Sequence, residues 1–168
     1  MDTSALKAVQ APLKQRYRDD PQAAVVTLRA TGAIGDGVTC SVETGQALVR
    51  AGLHPATGGP AAAVCSGDML LQALVACAGV TLSAVATSLG FAIRDAKLTA
   101  EGDLDFRGTL GVSKEAPVGF SAIRLSVAID GDLSDDEIAT LIKLTERYCV
   151  VYQTLRTPAA LAVESRRL

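Results

Sequence analysis

The spacing of apolar residues changes from helical to strand-like and back along the chain. Between residues 3 and 17, apolar side chains recur every three or four positions with basic residues between them, which predicts a short amphipathic helix. Its apolar positions are Leu6, Val9, Leu13 and Tyr17. The helix ends before Pro21, so we expect an N-terminal helical segment over 1–20 and a single domain over 21–168.

The next part of the chain has the composition of β-strands. Ala24–Ala30 and Val38–Val42 are rich in Val and Thr and flank the turn-forming stretch Gly32–Gly37, which predicts a β-hairpin. A third strand is expected over Gln46–Ala51, followed by a Pro- and Gly-rich loop from His54 to Pro60.

A run without a single charged residue, Met69–Ile93, follows this loop. Ser66 is the expected N-cap of a long helix, Asp68 complements the dipole of its first turn, and Gly90 ends it. The run is long enough to cross a bilayer. However, polar residues are spread along it and no Trp or Tyr marks its ends, so we expect a long buried central helix of a soluble protein rather than a membrane span.

Two half-exposed strands are predicted after the central helix. Polar and apolar residues alternate over 97–110 and again over 123–129. The last helix opens with Ser134 and Glu137, which have the spacing of a capping box, and apolar residues continue at helical spacing as far as Cys149. Helices and strands occur in separate runs, so the fold class is α+β with antiparallel strands.

Composition narrows the function. Apolar residues make up 49% of the chain and aromatic ones only 4%, so aliphatic side chains must build the core. The net charge of −2 and the lack of any dense Lys/Arg block argue against nucleic-acid binding. The N-terminus lacks the apolar region of a signal peptide, so we expect a cytoplasmic location, where cysteines are free, catalytic or metal-bound more often than paired in structural disulfides.

The four cysteines are the candidates for chemistry. Cys40, Cys65, Cys77 and Cys149 include no Cys-x-x-Cys pair, and His54 is the sole histidine, so a structural zinc site is not expected. A cysteine such as Cys77 on an Ala-rich helix is most simply a small buried apolar residue. Spacing alone does not overturn that interpretation.

Two segments resemble the OsmC/Ohr superfamily, the osmotically inducible and organic hydroperoxide resistance proteins. Ser66-Gly-Asp-Met-Leu-Leu-Gln-Ala-Leu-Val-Ala-Cys77 is similar to the central-helix signature, and Arg147-Tyr-Cys-Val-Val-Tyr-Gln-Thr-Leu155 to the segment of the second cysteine. The resemblance covers roughly residues 24–164. It implies an OsmC-like fold and an intertwined homodimer with active sites at the subunit interface.

The chain also departs from the family pattern. Val150 stands where the family often has Pro, and residues 32–35 read Gly-Ala-Ile-Gly where the hydroperoxide resistance branch has Gly-Arg. The glutamate of that branch would fall near Gly67, with Asp68 one position later. The sequence therefore resembles the broad OsmC-like group more than the hydroperoxide resistance branch.

The chemistry that the resemblance implies is that of a two-cysteine peroxidase. The Cys77 thiolate attacks an organic hydroperoxide, Cys149 closes a disulfide onto the resulting sulfenic acid, and an external dithiol restores both thiols without a metal or organic cofactor. The N-terminus of the central helix lies about 16 Å from Cys77, too far to lower its pKa. We therefore expect a cation, first Arg29 and then Arg50 or Arg147, with Asp68 orienting the arginine.

Other interpretations stay open. A non-enzymatic relative could keep the fold to bind a small apolar ligand, and a redox sensor could keep the thiols without turnover. Cys40 and Cys65 are expected to be buried spectators, and His54 a surface residue. The alternating acids over 101–105 are expected to be solvated.

Overall fold

A computed structural model describes residues 2–5, 8, 11, 15, 19, 31–34, 39–43, 48–57, 63–111 and 113–167 of the chain. The predicted N-terminal helix therefore lies largely outside the described residues. The elements, in chain order, are β1 (Thr31–Ile34), β2 (Thr39–Glu43), β3 (Leu48–Gly52), a 3-10 turn (Pro55–Thr57), β4 (Val64–Cys65), α1 (Ser66–Leu89), β5 (Ile93–Leu104), α2 (Phe106–Thr109), β6 (Phe120–Gly131), α3 (Asp135–Tyr148) and α4 (Val150–Arg156).

The first four strands form one sheet in the order β1-β2-β3-β4. The first three are antiparallel to one another, and β4 is parallel to β3. The prediction of a turn over all of Gly32–Gly37 is wrong, because strand β1 continues to Ile34 and pairs it with Cys40. The predicted strand Ala24–Ala30 lies outside the described residues.

Helix α1 begins one residue earlier than predicted. Cys65, with extended φ and ψ, is the N-cap, and Ser66 is already helical. At the other end Gly90 adopts φ 75°, a left-handed conformation that favours glycine, and its N–H closes the last turn on Ala86 and Thr87.

Within the single chain, a smaller part of the α1 surface is buried than the composition predicts. Only one stripe at four-residue spacing is fully buried, consisting of Leu74, Ala78, Leu82 and Ala86. By length and composition this helix could cross a membrane. In the chain it packs instead against β5, α3 and α4, while Val80 on its outer side is 73% exposed.

Strands β5 and β6 form a twelve-residue antiparallel ribbon that packs on α1. Alternate residues point inward, as the sequence pattern predicts. The predicted strand over 97–110 extends too far, because Asp105 ends β5 and accepts a hydrogen bond from the Arg107 N–H at 3.0 Å, which starts α2.

The acidic residues of this region are paired on the outer face rather than simply solvated. Asp103 binds Arg124 across the strands, Glu101 lies 3.8 Å from the same arginine, and Asp105 binds Arg107 at 2.6 Å. All these ion pairs are exposed, so they contribute little to stability.

The capping box at the start of α3 is confirmed. The Ser134 hydroxyl accepts from the Glu137 N–H, and the Glu137 carboxylate accepts from the Ser134 N–H at 2.8 Å. Helix α3 then packs on α1 and buries Leu141 against Leu82 and Ala86. The described residues thus form an α+β fold with antiparallel strands and a long central helix, as predicted.

Candidate functional site

Cys77 lies near the middle of α1, beside the buried stripe. Its half-buried side chain packs against a cluster of buried residues, Leu74, Ala78 and Cys149. The elements that pack on this helix are β5, α3 and α4.

Cys149 occupies the junction between two helices. It is the C-cap of α3, through an N–H bond to the Thr145 carbonyl at 2.9 Å, and also the N-cap of α4. Its sulfur accepts from the Tyr152 N–H at 3.5 Å, the role that a Ser or Asp oxygen usually has at this position. The prediction that Cys149 continues the last helix is wrong, since its φ and ψ are extended and the chain turns there.

The pKa of the Cys77 thiol lies below its usual value. Burial raises it, but hydrogen bonds to the sulfur outweigh that effect. The donors are the N–H groups of Val151 and Val150, the Cys149 thiol and the Thr81 hydroxyl. Thr81 also donates to the Cys77 carbonyl at 2.8 Å, so its hydroxyl lies one helical turn beyond the sulfur and close to it.

The pKa of Cys149 is shifted in the opposite direction. Burial raises it, and the neighbouring Cys77 sulfur raises it further, while the Tyr152 N–H lowers it only in part. Cys149 is fully buried, with 0% of its surface exposed. It therefore stays a neutral thiol that donates a hydrogen bond to Cys77.

This asymmetry gives the two thiols different chemistry. Cys77 is the thiol that ionises more readily, and a thiolate is the nucleophilic form of cysteine. Cys149 is the adjacent thiol, in hydrogen-bond contact with that sulfur. Two thiols in contact, one of them activated, can form a disulfide after oxidation of either sulfur.

Among the described residues, hydrogen-bond donors rather than a cation lower the pKa of Cys77. Backbone N–H groups from the first turn of α4, a helix other than the one that carries Cys77, donate to the sulfur. Of the candidate arginines, Arg29 lies outside the described residues. Arg147 lies over the Tyr148 ring at 5.6 Å, and Arg50 is exposed on β3. Neither is among the described groups that chiefly shift the Cys77 pKa.

Asp68 is not brought to the thiols within this chain. It lies nine positions before Cys77 on α1, which places it about 14 Å away along the axis and on the opposite side of the helix. The neighbouring Gly67 faces the Phe120 ring, which a Cβ at that position would meet at 3.3 Å. Within this chain Asp68 therefore does not reach Cys77, and Arg29, the first arginine that it was expected to orient, lies outside the described residues.

The remaining predicted residues lie away from the pair. Cys65 is a half-buried free thiol at the start of α1, and Cys40 is in β2, where its side chain is not described. His54 is half-buried rather than a plain surface residue, because its ring stacks on Phe106 with centroids 4.9 Å apart. Among the described residues no cluster of three or more His, Cys, Asp or Glu could hold a metal ion.

One cavity is lined by Cys149, and a second lies near the cluster around the two thiols. A small one of about 180 Å³ is lined by Cys149, Ala78 and Tyr152 among others. A larger one of about 520 Å³ lies between the start of α1, strand β6 and helix α4. It shares Leu74, Tyr152 and Leu155 with the cluster around the two cysteines, so its apolar wall continues to the site.

The donors to Cys77 are the functional groups that sequence reasoning missed. Val150 and Val151 act through the backbone, which has no signature in a sequence. The one sequence feature that could indicate them is the Val-Val pair after Cys149, because the family that the sequence resembles often has Pro directly after this cysteine.

The fold and the paired thiols define an α+β protein with a two-cysteine site under its central helix. Residues 58–164 match the family model described as OsmC-like protein. The chain belongs to that family. No curated protein matches the chain at a significant level.

Several solved structures share this fold. An OsmC-like protein from Mycoplasma pneumoniae superimposes with a TM-score of 0.68 at 18% identity, covering 79% of this chain and 89% of that one. An organic hydroperoxide resistance protein OsmC from Legionella pneumophila gives 0.63 at 20% identity, covering 80% and 92%. One from Elizabethkingia anophelis, with thiocyanate bound, gives 0.61 at 18%, covering 80% and 91%. At these identities the likeness shows the fold alone.

Proposed function

We propose that this chain is a thiol-dependent peroxidase that reduces organic hydroperoxides to alcohols. One observation carries the proposal: Cys77 and Cys149 are in hydrogen-bond contact and their pKa values are shifted in opposite directions. Membership of a family whose structural neighbours include organic hydroperoxide resistance proteins supports a redox function related to peroxides.

The reaction has three balanced steps. The Cys77 thiolate attacks the outer oxygen of R–O–O–H, the O–O bond breaks, and the alkoxide takes up a proton to leave as R–OH. The sulfenic acid that remains on Cys77 then condenses with the Cys149 thiol, forming the disulfide and releasing water. An external dithiol, itself oxidised to a disulfide, restores both thiols by exchange.

The contacts of Cys77 suit the first step. The Val150 and Val151 N–H groups and the Thr81 hydroxyl stabilise the thiolate before attack. Burial of Cys149 keeps the second thiol protonated and next to the first, so that the sulfenic acid meets it without diffusion.

A homodimer is part of the proposal. The outer side of α1 carries exposed small and apolar residues, among them Ala73, Ala76 and Val80, and the only charged residue of the helix is Asp68 in its first turn. A second copy of the chain would cover this face beside the half-buried Cys77 and place the active sites at the interface. Light scattering after gel filtration measures the mass. A cytoplasmic location would supply the reducing dithiol.

The decisive experiment is turnover of cumene hydroperoxide with a dithiol reductant by wild type, Cys77→Ser and Cys149→Ser. Cys77→Ser should abolish all peroxide consumption. Cys149→Ser should consume one equivalent and stop at the sulfenic acid, which dimedone labels. Peptide mapping of oxidised wild type should give a Cys77–Cys149 disulfide with Cys40 and Cys65 still alkylatable.

A second candidate is a non-catalytic ligand-binding protein, favoured by the 520 Å³ cavity that shares residues with the cluster around the thiols. Wild type that binds apolar ligands but consumes no peroxide would establish that candidate. Wild type that oxidises once and is not returned to the thiol form by any dithiol would instead indicate a redox sensor.

A further inference from the structure

The end of α3 leaves a backbone carbonyl without its usual donor. If α3 continued as a helix, the N–H of Val150 would donate to the carbonyl of Glu146, four residues earlier. The chain turns before this bond can form, and the Val150 N–H donates to the sulfur of Cys77 instead. A helix carbonyl that loses its donor costs free energy unless another group replaces that donor.

The side chain of Gln153 replaces it. The amide nitrogen of this half-buried residue of α4 donates to the Glu146 carbonyl at 2.7 Å, and its backbone N–H donates to the Cys149 carbonyl at 3.0 Å. The side-chain bond therefore connects α4 to the end of α3 across the turn at Cys149. The next residue, Thr154, makes a different bond, because its hydroxyl donates at 2.8 Å to the Val150 carbonyl within α4 itself.

We propose that Gln153 is a positioning residue: its amide occupies the Glu146 carbonyl in place of the Val150 N–H and holds the first turn of α4 toward Cys77. Gln153 does not touch the reacting atoms and acts through the backbone donors. Its role in turnover rests on the proposed peroxidase function, but its effect on the Cys77 thiol can be tested without peroxide.

Two physical effects make this bond important for the thiol. Helix α4 has only seven residues, and helices of that length are marginal on their own, so contacts with other elements set its direction. Hydrogen bonds weaken steeply when their angle is lost, so a tilt of α4 would weaken the bonds from the Val150 and Val151 N–H groups to Cys77. Without the Gln153 amide, the Glu146 carbonyl would also compete with the sulfur for the Val150 N–H.

The test is the rate at which iodoacetamide alkylates Cys77 in the reduced protein, followed by peptide mass spectrometry as a function of pH. Gln153→Met keeps the length of the side chain and removes its donor, so alkylation at neutral pH should slow about fivefold, the factor that corresponds to one net hydrogen bond. At high pH, where Cys77 is ionised in both proteins, the two rates should converge. Thr154→Val is the matched control, because it removes a side-chain bond within α4 and should leave the profile unchanged.

A new donor at position 153 should restore the profile. Gln153→Lys can again donate to the Glu146 carbonyl and should recover most of the rate. Thr154→Lys combined with Gln153→Met adds the same charge without that bond and should not. No slowing in Gln153→Met, equal slowing in Thr154→Val, or equal recovery in the two lysine variants would overturn the positioning role.

Turnover separates this proposal from the peroxidase function. Gln153→Met should lower kcat/KM for cumene hydroperoxide by about the same factor as it slows alkylation. If wild type consumes no hydroperoxide yet Gln153→Met slows alkylation as described, the peroxidase proposal fails and the positioning role stands. If wild type turns over and Gln153→Met has the alkylation profile of wild type, the positioning role alone is wrong.

Discussion

The N–H of Val150, the residue after the second cysteine, donates a hydrogen bond to the sulfur of Cys77. The residue that follows one thiol therefore helps to ionise the other. Val150 is the first residue of α4, and Cys149 before it is extended, with φ −72° and ψ 109°. Proline is well tolerated in this setting, because the first helical position needs no intrahelical N–H bond.

Val150→Pro should raise the pKa of Cys77, because the helix is kept while one hydrogen bond to the thiolate is lost. The thiolate fraction at neutral pH falls accordingly. The measurement is the pH dependence of Cys77 alkylation by iodoacetamide in the reduced protein, followed by peptide mass spectrometry. Val150→Ala, which keeps the N–H, is the matched control. A proline variant with the pH profile of the alanine variant would show that this donor has no role.

The Cys149 thiol is a second donor to Cys77, and its removal should also raise the pKa of Cys77. Cys149→Ala deletes the hydrogen bond that lowers the Cys77 pKa, so the alkylation profile of Cys77 should move to higher pH. Cys149→Ser keeps a hydroxyl donor at the same position and should move it less. Identical profiles for the two variants would mean that the contact between the sulfurs does not stabilise the thiolate.

Folding stability should depend on pH through Cys77. Its pKa is lowered on folding, so ionised Cys77 contributes stability that is fully present above the unfolded thiol's value of about 8.5 and is lost as pH falls through the folded pKa. The difference in unfolding free energy between wild type and Cys77→Ala should grow with pH across that window. Urea titrations with reductant present measure it. A difference independent of pH would indicate that Cys77 contributes packing alone.

The sequence predicts local features of this fold better than long-range ones. The capping box of Ser134 and Glu137, the glycine at the end of α1 and the alternation along β5 and β6 follow from neighbouring residues, and all are present. The end of α3 at Cys149 could not be predicted, because the apolar spacing continues past it. What ends the helix is the turn of the chain and the sulfur's bond to the Tyr152 N–H.

The difference between local and long-range features also holds at the site of the two thiols. Resemblance named Cys77 and Cys149, and the fold brings them into contact through the packing of α1 against α3 and α4. The sequence predicts a charged side chain near Cys77 but does not indicate Val150 and Val151. Hydrogen bonds from the backbone depend on where a helix begins rather than on residue type. Asp68, named by resemblance, follows the helical repeat to the opposite side of α1.

Gly102 should be required for the shape of the larger cavity. A Cβ at this position would lie 2.5 Å from the Phe120 ring, and Phe120 lines the cavity. Gly102→Ala should therefore displace the ring and cost about 1–3 kcal/mol of unfolding free energy. Gly119→Ala is the control, since nothing lies within 4 Å of its Cβ, and it should change stability by less than about 0.5 kcal/mol. Equal stabilities of the two variants in urea denaturation would show that Phe120 moves aside without strain.

The apolar cavity should make the proposed peroxidase prefer peroxides with an organic tail. Each buried methylene contributes about 0.8 kcal/mol at best, so three or four of them favour an alkyl or aryl hydroperoxide over hydrogen peroxide by roughly two orders of magnitude in kcat/KM. Hydrogen peroxide gains nothing from the cavity because it has no tail. The comparison uses cumene and tert-butyl hydroperoxide against hydrogen peroxide with one reductant.

A pair of variants connects that preference to the cavity itself. Leu70 lines the cavity without belonging to the cluster around the thiols, so Leu70→Ser should reduce the preference for cumene hydroperoxide while leaving the rate with hydrogen peroxide unchanged. Leu89→Ser makes the same change at an exposed position at the far end of α1 and should leave both rates alone. A preference for hydrogen peroxide in wild type, or equal effects of the two variants, would mean that the substrate reaches Cys77 by a route other than this cavity.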